Sequence, residues 1–197
     1  DEILITYKID RGKKHKVGRI YFQGNYALSS KELLDQVTIK KSHIWTHGSL
    51  SEKLLKQSAK NIEALYRDHG YEEVKVTPRT VDHEPKIDVG FEITEGAQTL
   101  VEDVQVKGNQ HIPYEQLTVP KGFQLHSGVP FSTRKLADDR NRISANYLNR
   151  GYLNIEVRTN VQKTADPHRV NVTYGITENQ LVRVGEVYYE GEKRTRL

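Results

Sequence analysis

The sequence has no cysteine, which excludes disulfide frameworks, thiolate metal sites and cysteine nucleophiles, and is compatible with an oxidising compartment. Methionine is also missing, position 1 included. No apolar run approaches the ~18 residues that a membrane-spanning helix needs, and no signal peptide is evident, so the chain is expected to be a portion of a longer protein. A charge excess of one sign is likewise missing: 30 basic and 26 acidic residues are interleaved along nearly every segment and sum to +4. Such mixing describes a solvated surface before a nucleic-acid footprint. Finally, the chain carries no Gly-x-Ser-x-Gly, P-loop, His-Glu-x-x-His or dinucleotide fingerprint. Neither a cofactor nor a catalysed reaction is therefore expected.

What the sequence does have is a repeat. "VGRIYFQGN" at 17–25 is followed by "VEDVQVKGN" at 101–109 and "VGEVYYEGE" at 184–192, so Gly24, Gly108 and Gly191 stand 84 and then 83 residues apart. In the first unit Val17, Ile20 and Phe22 predict a strand that stops at Gly24-Asn25, a pair suited to a tight turn with positive φ. Ser29 and Glu32 form a capping box for a short helix bearing Leu33, Leu34 and Val37. Ser51 is placed to cap a longer helix on which Leu55, Ile62 and Tyr66 share a face, ended by Gly70. Two alternating runs follow, Val74, Val76 and Val81, then Ile87, Val89, Phe91 and Ile93, joined by a turn in "DHEPK".

The second unit repeats this β-α-α-β-β order. Val104 and Val106 stand for Ile20 and Phe22, and Ile112 and Leu117 stand for Leu28 and Leu33. Ser132 caps the long helix, where Leu136, Ile143 and Tyr147 fall 81 residues after Leu55, Ile62 and Tyr66. Ile155, Val157 and Val161, then Val170, Val172, Tyr174 and Ile176, predict its last two strands. The contraction of three residues falls in the loop between the helices, where length changes cost little. The ends hold partial units: Ile3, Ile5, Tyr7 and Ile9 match the last strand of a unit, and Val184, Val187 and Tyr189 the first. The expected organisation is a last strand at 1–14, complete domains at 15–98 and 99–181, and a first strand at 182–197.

The strand-end "GN" at 24 and 108, Ser51 and "GVPFS" before the long helices, the "LYRDHGY" and "YLNRGY" helix ends and the "EITEG...VEDVQVKGN" junction at 92–109 together resemble the POTRA (polypeptide-transport-associated) repeats of BamA-type outer-membrane assembly proteins. Glu192 departs from the Asn of the other two turns. The resemblance implies an α+β fold of tandem POTRA domains, each with two helices packed on one face of a three-stranded mixed sheet. It also implies a bacterial periplasmic location and a C-terminal β-barrel in the same protein. Its partners would be unfolded outer-membrane or secreted polypeptides and accessory periplasmic lipoproteins, with no reaction catalysed.

In that family the strand after the long helix lies at the sheet edge, which here means Glu73, Val74, Lys75, Val76 and Thr77, and Asn154, Ile155, Glu156, Val157, Arg158 and Thr159. Glu73, Lys75 and Thr77, like Asn154, Glu156 and Arg158, point polar side chains away from the core. Their peptide groups remain available to an extended client that adds as a further strand.

Other readings compete with this one. His43 and His47 have the spacing of two metal ligands on a helix but sit in a loop-like stretch with no third ligand apparent, so no metal is expected. Trp45 between them is expected to tuck under the core. Tyr66, Tyr71, Tyr147 and Tyr152 are expected to pack against the sheet and not to stack on nucleic acid. The basic runs "RGKKHK" and "KRTR" are possible contacts for anionic headgroups. The competing function classes are an interaction scaffold of an envelope or cell-division protein, and a nucleic-acid module that the mixed charge does not favour.

Overall fold

A computed structural model describes residues 16–39, 52–83 and 85–188, together with Thr6 and Glu190. The chain divides into two compact units, residues 1–98 and 99–197. The strand expected from Ile3 to Ile9, the Ser51 cap, the His43–Trp45–His47 stretch, Tyr189 and the Gly191-Glu192 turn lie outside the described residues.

The first unit consists of β1 (Lys16–Gln23), α1 (Ser30–Asp35), α2 (Glu52–Asp68), β2 (Lys75–His83) and β3 (Lys86–Thr94). Its sheet has the order β1-β3-β2, with β1 parallel and β2 antiparallel to β3. A parallel pair needs a crossover, and the helices supply it. Period-two alternation turns Val89, Phe91 and Ile93 of β3 inward, against Leu55, Ala59, Ile62 and Tyr66 of α2. Burying a side chain such as Phe91 or Ile62 contributes about 1.5–3 kcal/mol, so a one-residue slip that turned this row to water would be strongly disfavoured.

The second unit repeats the arrangement with β4 (Leu100–Lys107), α3 (Thr133–Leu148), β5 (Glu156–Lys163) and β6 (Arg169–Thr177) in the order β4-β6-β5. Val170, Val172, Tyr174 and Ile176 form its inner row, against Leu136, Ile143 and Tyr147. The fold class expected from the sequence is thus the one observed: α+β, two three-stranded mixed sheets, each with its helices on one face.

One element differs. Where a short α-helix was expected in the second unit, the chain makes a single 3-10 turn, Tyr114–Gln116. In α1 the Ser29 hydroxyl accepts from the Glu32 amide while the Glu32 carboxylate accepts from the Ser29 amide. In the second unit Pro113 holds the cap position, with no N–H to be capped and no side-chain acceptor to offer, and the Gln116 amide donates instead to the Pro113 carbonyl at 2.9 Å, the i→i+3 bond of a 3-10 turn. The core contacts survive the change, since Ile112 and Leu117 are buried as Leu28 and Leu33 are.

The recurrent glycine has a steric reason. Gly24 (φ +82°) and Gly108 (φ +87°) end β1 and β4 beside the central strands, and a Cβ on either would lie 2.1 Å from the carbonyl oxygen of Ile93 or Ile176. Each following asparagine closes the turn: Asn25 Nδ2 donates to the Leu28 carbonyl at 3.0 Å and Asn109 Nδ2 to that of Ile112 at 3.1 Å. After β6, residues 178–188 form no regular element, and Val184, Val187 and Tyr188 are strongly exposed.

Candidate functional site

Among the described residues, the strand that follows the long helix pairs on one side only in both sheets, β2 with β3 and β5 with β6. Its other side is an edge. Along an antiparallel strand successive peptide groups alternate between the partner and the open side. On β5 the alternation is fixed by the end of the hairpin, where the Thr164 amide donates to the Arg169 carbonyl at 3.0 Å, in register with the β5–β6 ladder. Counting back in twos, Gln162, Asn160, Arg158 and Glu156 bond to β6, whereas Lys163, Val161, Thr159 and Val157 turn their peptide groups outward. On β2 the Val76 amide donates at 3.2 Å to Glu63 Oε1 on α2 and not to β3. The outward row there is Val76, Pro78, Thr80 and Asp82.

In the second unit the opposite edge is partly covered by its own chain. The segment Gly128–Phe131 lies along the start of β4, with the Gly128 amide donating to Val101 at 2.8 Å, Val101 to Val129 at 2.9 Å and Phe131 to Thr99 at 2.9 Å. Leu100 and Pro130 form an antiparallel bridge there. The β5 side carries no such cover among the described residues.

Of the residues expected at the edges, Lys75, Val76 and Thr77 lie in β2, and Glu156, Val157, Arg158 and Thr159 in β5. Glu73, Val74, Asn154 and Ile155 precede the strands. Asn154 is also tied down, its carbonyl accepting from Asn179 Nδ2 at 2.6 Å. Both strands run on past the expected segments, to His83 and Lys163. The alternation is as expected except at Thr77, which is half-buried: Val74 and Val76 are buried and Ile155 and Val157 half-buried, while Glu73, Lys75, Asn154, Glu156 and Arg158 are exposed.

The POTRA family model, described as "surface antigen variable number repeat", matches residues 15–96 and again 99–179. The chain belongs to the POTRA family. Among curated proteins it is 26% identical over 98% of its length to outer membrane protein assembly factor BamA of Nitratidesulfovibrio vulgaris, covering 25% of that protein. It is 22% identical over 100% of its length to BamA of Neisseria meningitidis serogroup B, again covering 25%. The chain thus spans about a quarter of the length of these relatives. Among solved structures, BamA POTRA3-5 of Haemophilus influenzae superposes with a TM-score of 0.54 at 19% identity, over 95% of this chain and 76% of the other. BamA of Haemophilus ducreyi lacking POTRA domains 1–3 does so with a TM-score of 0.53 at 17% identity, over 84% and 30%. At these identities the structures speak for the fold.

The POTRA tyrosines are structural. Tyr66 and Tyr147 are fully buried and meet Tyr71 and Tyr152 edge-on, at 5.7 and 5.4 Å between ring centroids, which withdraws the inner rings from any base. Each inner hydroxyl donates to a glutamate beyond the central strand, Tyr66 to Glu95 at 2.8 Å and Tyr147 to Glu178 at 2.7 Å. The same carboxylates accept the backbone amides of Ala27 and His111, at 2.8 and 2.9 Å. Helix end, strand end and the post-glycine turn are thereby buckled together, and burial, reinforced by the carboxylate, pushes both phenols above their ordinary range. In the second unit the His111 imidazole adds a close contact to Glu178.

The sequence does not disclose Glu63 as a ligand of the strand edge, since a glutamate on a helix, here half-buried, carries no local signal of that role. Pro78 was missed too, although a signal for it exists: a proline inside an alternating run marks an edge strand whose missing N–H faces outward.

Proposed function

We propose that this POTRA pair is a non-catalytic scaffold in the periplasmic part of an outer-membrane protein assembly factor. It receives extended segments of unfolded outer-membrane or secreted polypeptides by strand addition and passes them to a β-barrel belonging to the same protein, alongside accessory lipoproteins. The exposed stretch with Val184 and Val187 would then be the first strand of a following unit, completed only within the longer chain. The observation that carries the reading is the row of outward peptide groups on the strand after the long helix, in sheets too narrow to bury it.

Main-chain bonding suits a receiver of many clients because it does not depend on the client's side chains. Each added bond contributes about 0.5–1.5 kcal/mol net. A short row therefore yields only a few kcal/mol, before about 1–2 kcal/mol per ordered client residue is subtracted. Binding is weak and reversible, as a carrier that must release its load requires. The test is an NMR titration of the chain with a soluble peptide taken from a barrel strand. Amide shifts concentrated on β2 or β5 at millimolar peptide are expected, whereas shifts confined to the outer faces of α2 and α3 would refute strand addition.

A further inference from the structure

Resting on the strand-addition reading above, we infer that the two POTRA units are not equivalent: β5 of the second unit is the receiving edge, and β2 of the first is closed by Glu63 and Pro78. On β2 the Val76 amide is already engaged by Glu63 Oε1, and Glu63 Oε2 accepts from Arg67 at 3.2 Å. An arriving carbonyl would have to displace Oε1 of a carboxylate whose other oxygen Arg67 holds in place. Two residues on, Pro78 has no N–H to give, and its ring stands where the donor would be. The first two outward positions of β2 thus offer an incoming carbonyl nothing.

The repeat supplies the matched positions 81 residues later. Glu63 becomes Ser144, Val76 becomes Val157 and Pro78 becomes Thr159. The Ser144 hydroxyl donates to the Arg140 carbonyl of its own helix at 3.1 Å, and its short side chain does not reach the strand. Among the described residues no side chain accepts from the amides of Val157, Thr159 or Val161, and Thr159 restores the donor that proline removes. Both closing devices of the first unit are therefore absent from the second.

The same edge specifies its occupant. Val157 packs on the core and Val161, on the same face of β5, is 37% exposed. The alternate residues Glu156, Arg158, Asn160 and Gln162 are exposed and polar, and the charged two pair with each other at 2.9 Å. A strand laid beside β5 meets Val157 and Val161, with Thr159 between them, on the helix side and polar neighbours, without excess charge, on the other. The occupant is an extended polypeptide segment that alternates apolar and polar residues.

The experiment is a reciprocal exchange in the 197-residue chain, titrated by NMR with a soluble peptide alternating valine or tyrosine with threonine. In the unaltered chain the shifts fall on β5 and spare β2. The pair Ser144→Glu and Thr159→Pro weakens peptide binding at β5 by about tenfold or more, and the pair Glu63→Ser and Pro78→Thr makes β2 respond. Dispersed resonances from the inner rows Val89–Ile93 and Val170–Ile176 verify that each variant is folded. The inference is overturned if β2 of the unaltered chain responds as strongly as β5, or if the folded closing variant binds as before. Shifts on neither strand would instead remove the strand-addition reading beneath it.

Discussion

The two units place different chemistry at the same points of one scaffold. In the first, the turn after α1 is anchored by Ser58, whose hydroxyl accepts the Thr38 amide at 3.1 Å and donates to the Leu54 carbonyl at 2.8 Å. In the second, the matched residue is Asp139, fully buried, which takes the Gln124 and Leu125 amides at 2.9 Å and the Tyr174 hydroxyl at 3.3 Å. Asn61 clasps the Gln36 carbonyl in the first unit, and its counterpart Arg142 clasps those of Thr118 and Gly122 while lying 3.7 Å from Asp139. A neutral anchor and an ionic one hold the inter-helix segment at equivalent places. What recurs is the requirement to tie down that segment's peptide groups, not the residue that does it.

If the scaffold is common to both units, damage to it should be symmetric. Gly24→Ala and Gly108→Ala each force a Cβ onto a central-strand carbonyl at positive φ, and each should cost its own unit roughly 3 kcal/mol or more. Denaturant melts followed through resolved resonances of each unit check this, because two units need not unfold as one transition. A mild effect in one unit alone would break the equivalence.

The anchors should be asymmetric. Asp139→Ser imports the first unit's solution but leaves the amides of Gln124 and Leu125 and the Arg142 guanidinium short of a partner, and is expected to cost about 2–3 kcal/mol. Ser58→Ala should cost about 1 kcal/mol. The same melts distinguish them, and equal costs would contradict the ionic account.

Acid should sharpen the contrast further. Burial pushes the Glu178 carboxyl up, but the His111 amide, the Tyr147 hydroxyl and the His111 imidazole together hold it below its usual value. A carboxyl depressed in the folded state contributes stability that is complete above its unfolded value of about 4.3, and that is lost as pH falls from there through the lower folded value. An acid titration of second-unit resonances should show this loss, and Glu178→Gln should flatten it. The smallest effect concerns the element present in one unit only: Ser29→Ala should cost the first unit about 1 kcal/mol by removing the capping box around α1. The second unit has no counterpart to lose, so the resonances of Tyr114–Gln116 serve as the control.

Much of the fold was legible because its determinants are local. The 84-residue spacing of Gly24 and Gly108, the alternation in β3 and β6, and the Leu55–Ile62–Tyr66 face each follow from backbone sterics or from side-chain periodicity. The 3-10 turn was not, because Ile112 and Leu117 keep the five-residue spacing of Leu28 and Leu33 while Pro113 removes the cap. The edges were half legible. Alternation located the strands, yet which peptide groups face outward depends on register, and that Glu63 occupies one of them depends on how α2 lies against β2. Asp139 escaped notice for a related reason: an aspartate on a long helix reads as solvated until the loop that folds over it is in place.

The central claim is that β5 presents unengaged amides at Val157 and Thr159, where the matched Val76 and Pro78 of β2 present none, and amide hydrogen exchange of the two strands tests it most directly. The account predicts slower exchange at Val76 than at Val157, Thr159 and Val161 in the chain alone, and slowing of the latter three when the alternating peptide is added. Exchange at those three that is already as slow as at Gln162 and Asn160, or that the peptide leaves unchanged at saturation, would contradict it.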